Sequence, residues 1–107
     1  MRLLFILLLS PLLSFSQNNT QNIRGVVSDK LSQMPIKGAT VQIVSLQIET
    51  TTDSFGKYIL SNIAPDRYEI KITCNAYKTI TIPNVVISSG KEVILDIAME
   101  EDRKSVV

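Results

Sequence analysis

The sequence predicts an all-β sandwich of seven short antiparallel strands behind an N-terminal secretory leader. Three observations carry that prediction. Apolar and polar residues alternate with period two in run after run, and no window sustains a helical period. Turn-forming Gly, Pro, Asn and Asp punctuate the runs about every 8–12 residues. A length of 107 residues suits a single domain.

The leader occupies residues 1–16. Met1-Arg2 is a positive start, Leu3 to Leu9 is an unbroken apolar run, and Ser14-Phe15-Ser16 places small residues where a signal peptidase reads them. Cleavage is expected before Gln17. The apolar run breaks at Ser10-Pro11, short of the ~20 residues of a spanning helix, so no transmembrane segment is expected in the mature chain. No Cys follows the run, so lipoprotein processing is not indicated. Removing the leader takes Arg2 and leaves 10 basic and 10 acidic residues, a neutral chain without a basic block. That excludes nucleic acid as the expected partner and gives no support to an anionic membrane. Cys74 is the single cysteine, so no internal disulfide forms, and its phase with Tyr68, Ile70 and Ile72 makes it a small core residue.

In chain order, residues 17–22 form a polar leader segment. Ile23 to Asp29 is the first strand, with Ile23, Gly25 and Val27 on one face. Lys30 to Lys37 is a loop broken near its end by Pro35. Gly38 to Val44 and Leu46 to Thr52 are the second and third strands. Asp53-Ser54-Phe55-Gly56 is a turn, because Asp bonds its own backbone two residues on and Gly56 can take φ > 0. Lys57 to Ile63 alternates, with Tyr58 and Leu60 on one face and Lys57, Ile59 and Ser61 on the other. Ala64 to Arg67 reverses the chain, so Thr50 to Tyr68 is expected to be a hairpin and the core of an antiparallel meander. Tyr68 to Cys74 is the fifth strand. Lys78 to Ile82 is the sixth, closed by Pro83, and Val85 to Ile87 is a short extended piece. Lys91 to Met99 is the last, with Glu92, Ile94, Asp96 and Ala98 facing outward. The domain therefore spans 23–99, and 100–107 is a charged tail or linker.

The search for chemistry returns mainly exclusions. With no histidine there is no Ser-His-Asp triad and no His-ligated zinc. One cysteine cannot build a thiolate cluster, and the isolated glycines form no phosphate-cradling loop. Asp29 and Asp53, placed at one end of a meander, are weak candidates for calcium, which prefers about 6–8 oxygen ligands. Their simpler reading is that each caps a turn. Tyr58, Tyr68 and Tyr77 could form a carbohydrate-stacking face, but Tyr58 and Tyr68 are in phase with core residues. No cofactor is expected.

A set of spaced motifs then carries a resemblance. Gly25-x-Val27-x-Asp29, Pro35-Ile36-x-Gly38-Ala39-x-Val41, Thr52-Asp53-x-x-Gly56-x-Tyr58, Pro65-x-x-Tyr68 and Tyr77 follow one another in the order seen in the carboxypeptidase regulatory-like domain, which this chain resembles from Ile23 to Met99. The resemblance implies a transthyretin-like (prealbumin-like) sandwich. Two positions depart from the family pattern: Asp66 replaces a usual Gly, and Ala76 stands where Gly usually precedes the tyrosine. Asp tolerates a left-handed backbone better than Ala does, so the turn before Tyr77 is expected to differ.

The resemblance also implies function. Such domains follow the signal peptide of TonB-dependent outer-membrane receptors of the Bacteroidetes type, and occur in standalone periplasmic or secreted binding proteins. A non-catalytic interaction module in the periplasm or at the periplasmic face of the outer membrane is therefore expected, with envelope proteins as partners. The first and last strands, as presumed edges, would accept a partner by strand addition. Hydrolases of transthyretin type use histidines and a C-terminal Tyr-Arg-Gly-Ser, which this chain lacks.

Overall fold

The computed structural model describes residues 19–103 and contains eight strands and no helix within them. The expected leader at 1–16 and the end of the charged tail lie outside the described residues. The strands are β1 (Gln21–Asp29), β2 (Thr40–Ile43), β3 (Ile48–Thr51) and β4 (Lys57–Ile63), then β5 (Asp66–Thr73), β6 (Ile80–Ile87), β7 (Val93–Ile94) and β8 (Ile97–Met99). They form two sheets. In one, β1 is central, with β4 on one side and β7 and β8 on the other; the second runs β3-β2-β5-β6.

The all-β sandwich is as the alternation requires. Ile23 and Val27 of β1 and Tyr58, Leu60 and Ile63 of β4 point inward against Val41, Ile43, Ile70 and Ile72 of the facing sheet. Each such side chain taken fully from water contributes about 1.5–3 kcal/mol. Tyr68 is also buried, and Cys74 packs at the margin of the core.

Several expectations about connection are corrected. The stretch Thr50 to Tyr68 is not a hairpin or a meander: β3 and β5 belong to one sheet and β4 to the other. The chain changes sheets at each turn. Period two fixes which residues point inward but says nothing about which neighbour a strand pairs with. β3 is committed to β2, Thr40 lying opposite Thr51, while the apolar face of β4 completes the core from beside β1. β1 begins at Gln21, inside the expected polar leader, where it pairs with Ile63. It is central rather than an edge.

Pro83 does not end the sixth strand. β6 runs through it because β6 is an edge, where a missing N–H is tolerated. The register slips between Tyr68 and Ile70, and Asn84 takes φ 58°, so a bulge absorbs the proline. The last strand is not continuous and not antiparallel. Both β7 and β8 run parallel to β1, with an interruption at Leu95 and Asp96. A parallel partner needs a crossover, here supplied by the whole second sheet.

That interruption has a cause in Gly25. A Cβ there would overlap the Leu95 carbonyl oxygen. The Leu95 amide donates to the Arg24 carbonyl at 2.8 Å, and the Val26 amide donates not to backbone but to Asp96 Oδ1 at 2.9 Å. Elsewhere, buried Thr52 ties the loop after β1 to the end of β3. Its Oγ1 donates to the Ile36 carbonyl (2.6 Å) and accepts from the Ala39 amide (2.9 Å).

Gly56 takes the expected positive φ, 75°, and a Cβ there would lie 2.5 Å from the Val27 carbonyl oxygen. Ala76 takes φ 73° as well, so the turn keeps the left-handed shape a glycine would give and Ala bears the strain. Asp66 is different: it opens β5, and its Oδ1 accepts from the Arg67 amide. Two substitutions should thus move stability in opposite directions. Gly56→Val should cost roughly 2–4 kcal/mol through backbone strain and overpacking, whereas Ala76→Gly should gain about 0.5–1 kcal/mol. Urea midpoints check both, and a loss of stability in Ala76→Gly would contradict the strain.

Candidate interaction surface

Alternation along β1 and β4 sends Arg24, Val26, Lys57 and Ile59 to the outer face of their sheet, where Ile94 and Asp96 join them from the last strand. Thr50 and Thr51 of β3 form a rim. Together they outline an open groove of about 610 Å³. Arg24 on the central strand lies between Ile59 and Ile94, which are 47% and 59% exposed. Arg24 Nε donates to Glu92 Oε2 at 2.8 Å, and that hydrogen bond, with the charge of Glu92, holds the guanidinium even more firmly protonated. Both partners are exposed, so the pair orients more than it stabilises.

Tyr58 passes beneath this face. It lies opposite Gly25 in the β1–β4 pair, and its hydroxyl donates to the Leu95 carbonyl beyond β1 at 2.6 Å. Burial, then the nearby charge of Asp96, raises its pKa well above the usual phenol value. The hydroxyl is thus committed to the fold. The same is true of Tyr68, whose hydroxyl donates to the Ala64 carbonyl. Neither ring is offered to a sugar, as their core phase required.

Asp29 and Asp53 both cap turns, the simpler of their two readings. Asp29 Oδ1 accepts from the Leu31 and Ser32 amides, and Oδ2 from the Tyr77 hydroxyl at 2.8 Å. The Ser32 amide first and Tyr77 second keep its carboxyl below the ordinary range. Asp53 Oδ1 accepts from the Phe55 and Lys57 amides, which lower its pKa in the same way. A cation at either position would have to displace these bonds. No group of three or more acidic or cysteine side chains converges among the described residues.

Tyr77 draws the opposite consequence from its partnership. The hydrogen bond to Asp29, with burial, pushes its pKa up to about 12. Around it, the start of the segment read as a charged tail or linker bonds to the sandwich: the Lys78 amide donates to the Glu100 carbonyl and the Asp102 amide to the Ala76 carbonyl, both at 2.9 Å.

The remaining motif residues are scaffold. Val27 and Ala39 are core, Gly38 takes φ 82° at the Thr52 clasp, Pro35 bridges Ser28, and Pro65 turns the chain into β5. Of the groove, the sequence reading placed Ile94 and Asp96 outward and set Lys57 and Ile59 on the face opposite Tyr58, but gave neither Arg24 nor Ile59 a binding role. A signal for Ile59 existed: it is an aliphatic residue in the polar phase of its strand.

With that geometry in place, the family can be stated. The model of the carboxypeptidase regulatory-like domain matches residues 22–100. The chain belongs to that family. Human and rat carboxypeptidase D are 24% and 27% identical to it over 85 residues, which is 79% of this chain but 6% of either relative. The chain thus spans only a small part of the length of those relatives. Among solved structures, a chain of a type II cohesin–X-dockerin complex from Acetivibrio cellulolyticus is 29% identical, with a TM-score of 0.63 over 74% of this chain and 56% of that one. The Bacillus anthracis TIE protein shares the fold at 17% identity, with a TM-score of 0.59 over 77% of this chain and 16% of that one.

The Tyr77–Asp29 bond sets a pH dependence for this domain. A raised tyrosine pKa adds stability that is complete below about pH 10 and is lost as pH climbs toward 12. A lowered Asp29 pKa adds stability that is complete above the ordinary carboxylate range and is lost as pH falls through the folded value. Tyr77→Phe should therefore melt lower than wild type at neutral pH, with the gap closing at both extremes. Thermal melts across pH check this, and a constant gap into strong alkali would contradict it.

Proposed function

We propose that this domain is a non-catalytic, exported interaction module that stands ahead of the plug and barrel of a TonB-dependent outer-membrane receptor. The observation that carries the module is the groove over β4, β1 and β7. It sets the exposed aliphatic side chains of Ile59 and Ile94 on either side of Arg24, and apolar groups beside an arginine are the mixture that protein-docking patches favour. Asp29, Asp53 and Tyr77 are tied into turns and strand ends, which suits a scaffold role for them. The type II cohesin–X-dockerin assembly supports the same direction, since its name describes a complex of proteins. The receptor context rests on the order of leader, domain and charged segment. The ties on Glu100 and Asp102 suit it, because a following domain would leave the sandwich from a fixed point.

The test has two arms. The reading frame after Val107 should continue into a plug and barrel, and an immediate stop codon would overturn the receptor context. Ile6→Arg, which breaks the apolar leader, should leave the protein uncleaved in the cytoplasm, and normal processing of that variant would overturn export.

A further inference from the structure

The edges of the sandwich are not equivalent. β6 carries Pro83 and a bulge at Asn84, and the last strand is broken at Leu95 and Asp96. On β4 the outward amide and carbonyl of Lys57 are already taken by Asp53. Each of these features blunts its edge against a further strand. β3 ends the second sheet and has none of them from Ile48 to Thr51.

Parity shows which of its backbone groups are free. The Thr52 amide donates to the Ala39 carbonyl, and the Thr52 carbonyl accepts from the Gly38 amide, so Thr52 turns toward β2. Backbone direction alternates along a strand, so Thr50 and Ile48 turn the same way, opposite Val41 and Ile43. Glu49 and Thr51 therefore point their N–H and C=O away from β2. Both residues are exposed, and those groups meet no other backbone partner among the described residues. The edge offers two donor and acceptor pairs, set two residues apart.

We infer that β3 is a self-pairing edge, and that its occupant is β3 of a second copy of this chain, antiparallel about a two-fold axis through Thr50. The inference goes beyond the interaction-module reading and needs no receptor. In this register Glu49 of each copy stands opposite Thr51 of the other, and every free donor meets a free acceptor. Thr50, in phase with buried Val41, faces Thr50 of the second copy, a favourable cross-strand pair. The neighbouring registers that keep outward groups opposed both fail. An axis at Glu49 sets that carboxylate against its own copy, and an axis at Thr51 sets Glu49 against Asp53.

The exposed apolar residues point to the same occupant. Leu46 and Ile48 stand at the start of β3 and Phe55 just past its end, all of them exposed. Antiparallel pairing lays the start of one β3 beside the end of the other, so the turn bearing Leu46 comes alongside the second copy's turn bearing Phe55. The chain itself thus supplies apolar cover for its own edge. A four-residue strand buries less than the ~800 Å² per partner of a stable complex, so the dimer is weak and concentration-dependent.

Sedimentation equilibrium and amide hydrogen exchange on the protein, from micromolar to millimolar concentration, test this. A dimer should appear at the upper end, and the Glu49 and Thr51 amides, fast to exchange in dilute protein, should slow as it forms. Register is read by cross-linking in a Cys74→Ser background. Opposed Cα atoms of a non-hydrogen-bonded pair lie about 4.5 Å apart, within disulfide reach, whereas the two copies of residue 49 would lie more than about 7 Å apart. Mild oxidation should therefore join Thr50→Cys chains and leave Glu49→Cys chains single. Thr51→Pro removes one outward donor and should abolish the dimer once circular dichroism shows it folded; exchange on the unaltered chain decides if it does not fold. A monomer at every concentration, protection confined to β4, β6 or the last strand, or cross-linking of Glu49→Cys as fast as Thr50→Cys would each overturn the inference. The groove over β1 would survive that failure, since it needs no second copy.

Discussion

The sandwich depends on the absence of a side chain at Gly25. Among the described residues β1 is the only strand of its sheet with partners on both sides, and the Leu95 carbonyl seats itself where a Cβ at Gly25 would project. Two further groups exploit that approach. Tyr58 reaches beyond β1 to donate to the same carbonyl, and Asp96 supplies the acceptor that the broken ladder would leave missing at Val26. Its Oδ1 stands where a backbone carbonyl would in a continuous ladder, so Asp96 is part of the strand in all but backbone. Glycine, tyrosine and aspartate thus act as one joint that closes the sheet in parallel from a chain whose other pairings are antiparallel.

This joint also shapes the outer surface. Interrupting the last strand leaves one edge ragged and lets Ile94 and Asp96 stand beside Arg24 over the groove. At the far side of the sheet β4 runs unbroken past Ile59. The loops are fixed separately, by Thr52 on one turn and by Asp29 with Tyr77 at the chain's exit. The outer groove of this domain is therefore built on a sheet and its margin. Its polar loop residues serve mainly to hold the ends.

The burial pattern was legible because period two is imposed by the pleat itself. Ile23, Val27, Tyr58, Leu60, Tyr68, Ile70 and Ile72 all point where alternation put them. Turn chemistry was legible at Asp53 and Gly56, where side-chain bonding and positive φ are local matters. Partnership was not. Whether Lys57 to Ile63 pairs with the strand before it or with the first strand of the chain depends on distant apolar faces, which no local pattern encodes. Pro83 misled because its effect depends on edge position, a fact of the assembled sheet. Ala76 was readable as a misfit with a usual glycine position, but only the backbone shows that the turn keeps its shape and bears the strain. The groove was half legible for the same reason. Its members on one strand follow from phase, while their meeting with Thr50 and Ile94 follows from topology.

Hydrogen exchange on Gly25→Ala tests the joint most directly. The methyl group must push the Leu95 carbonyl away, so protection at the Leu95 and Val26 amides should fall sharply, while the amides that link β2 and β5 keep theirs. Global stability should drop by roughly 1–3 kcal/mol, as for an overpacked core site. If the alanine variant keeps wild-type protection at Leu95 and Val26 and melts where the wild type does, the close approach at Gly25 is not what seats the last strand.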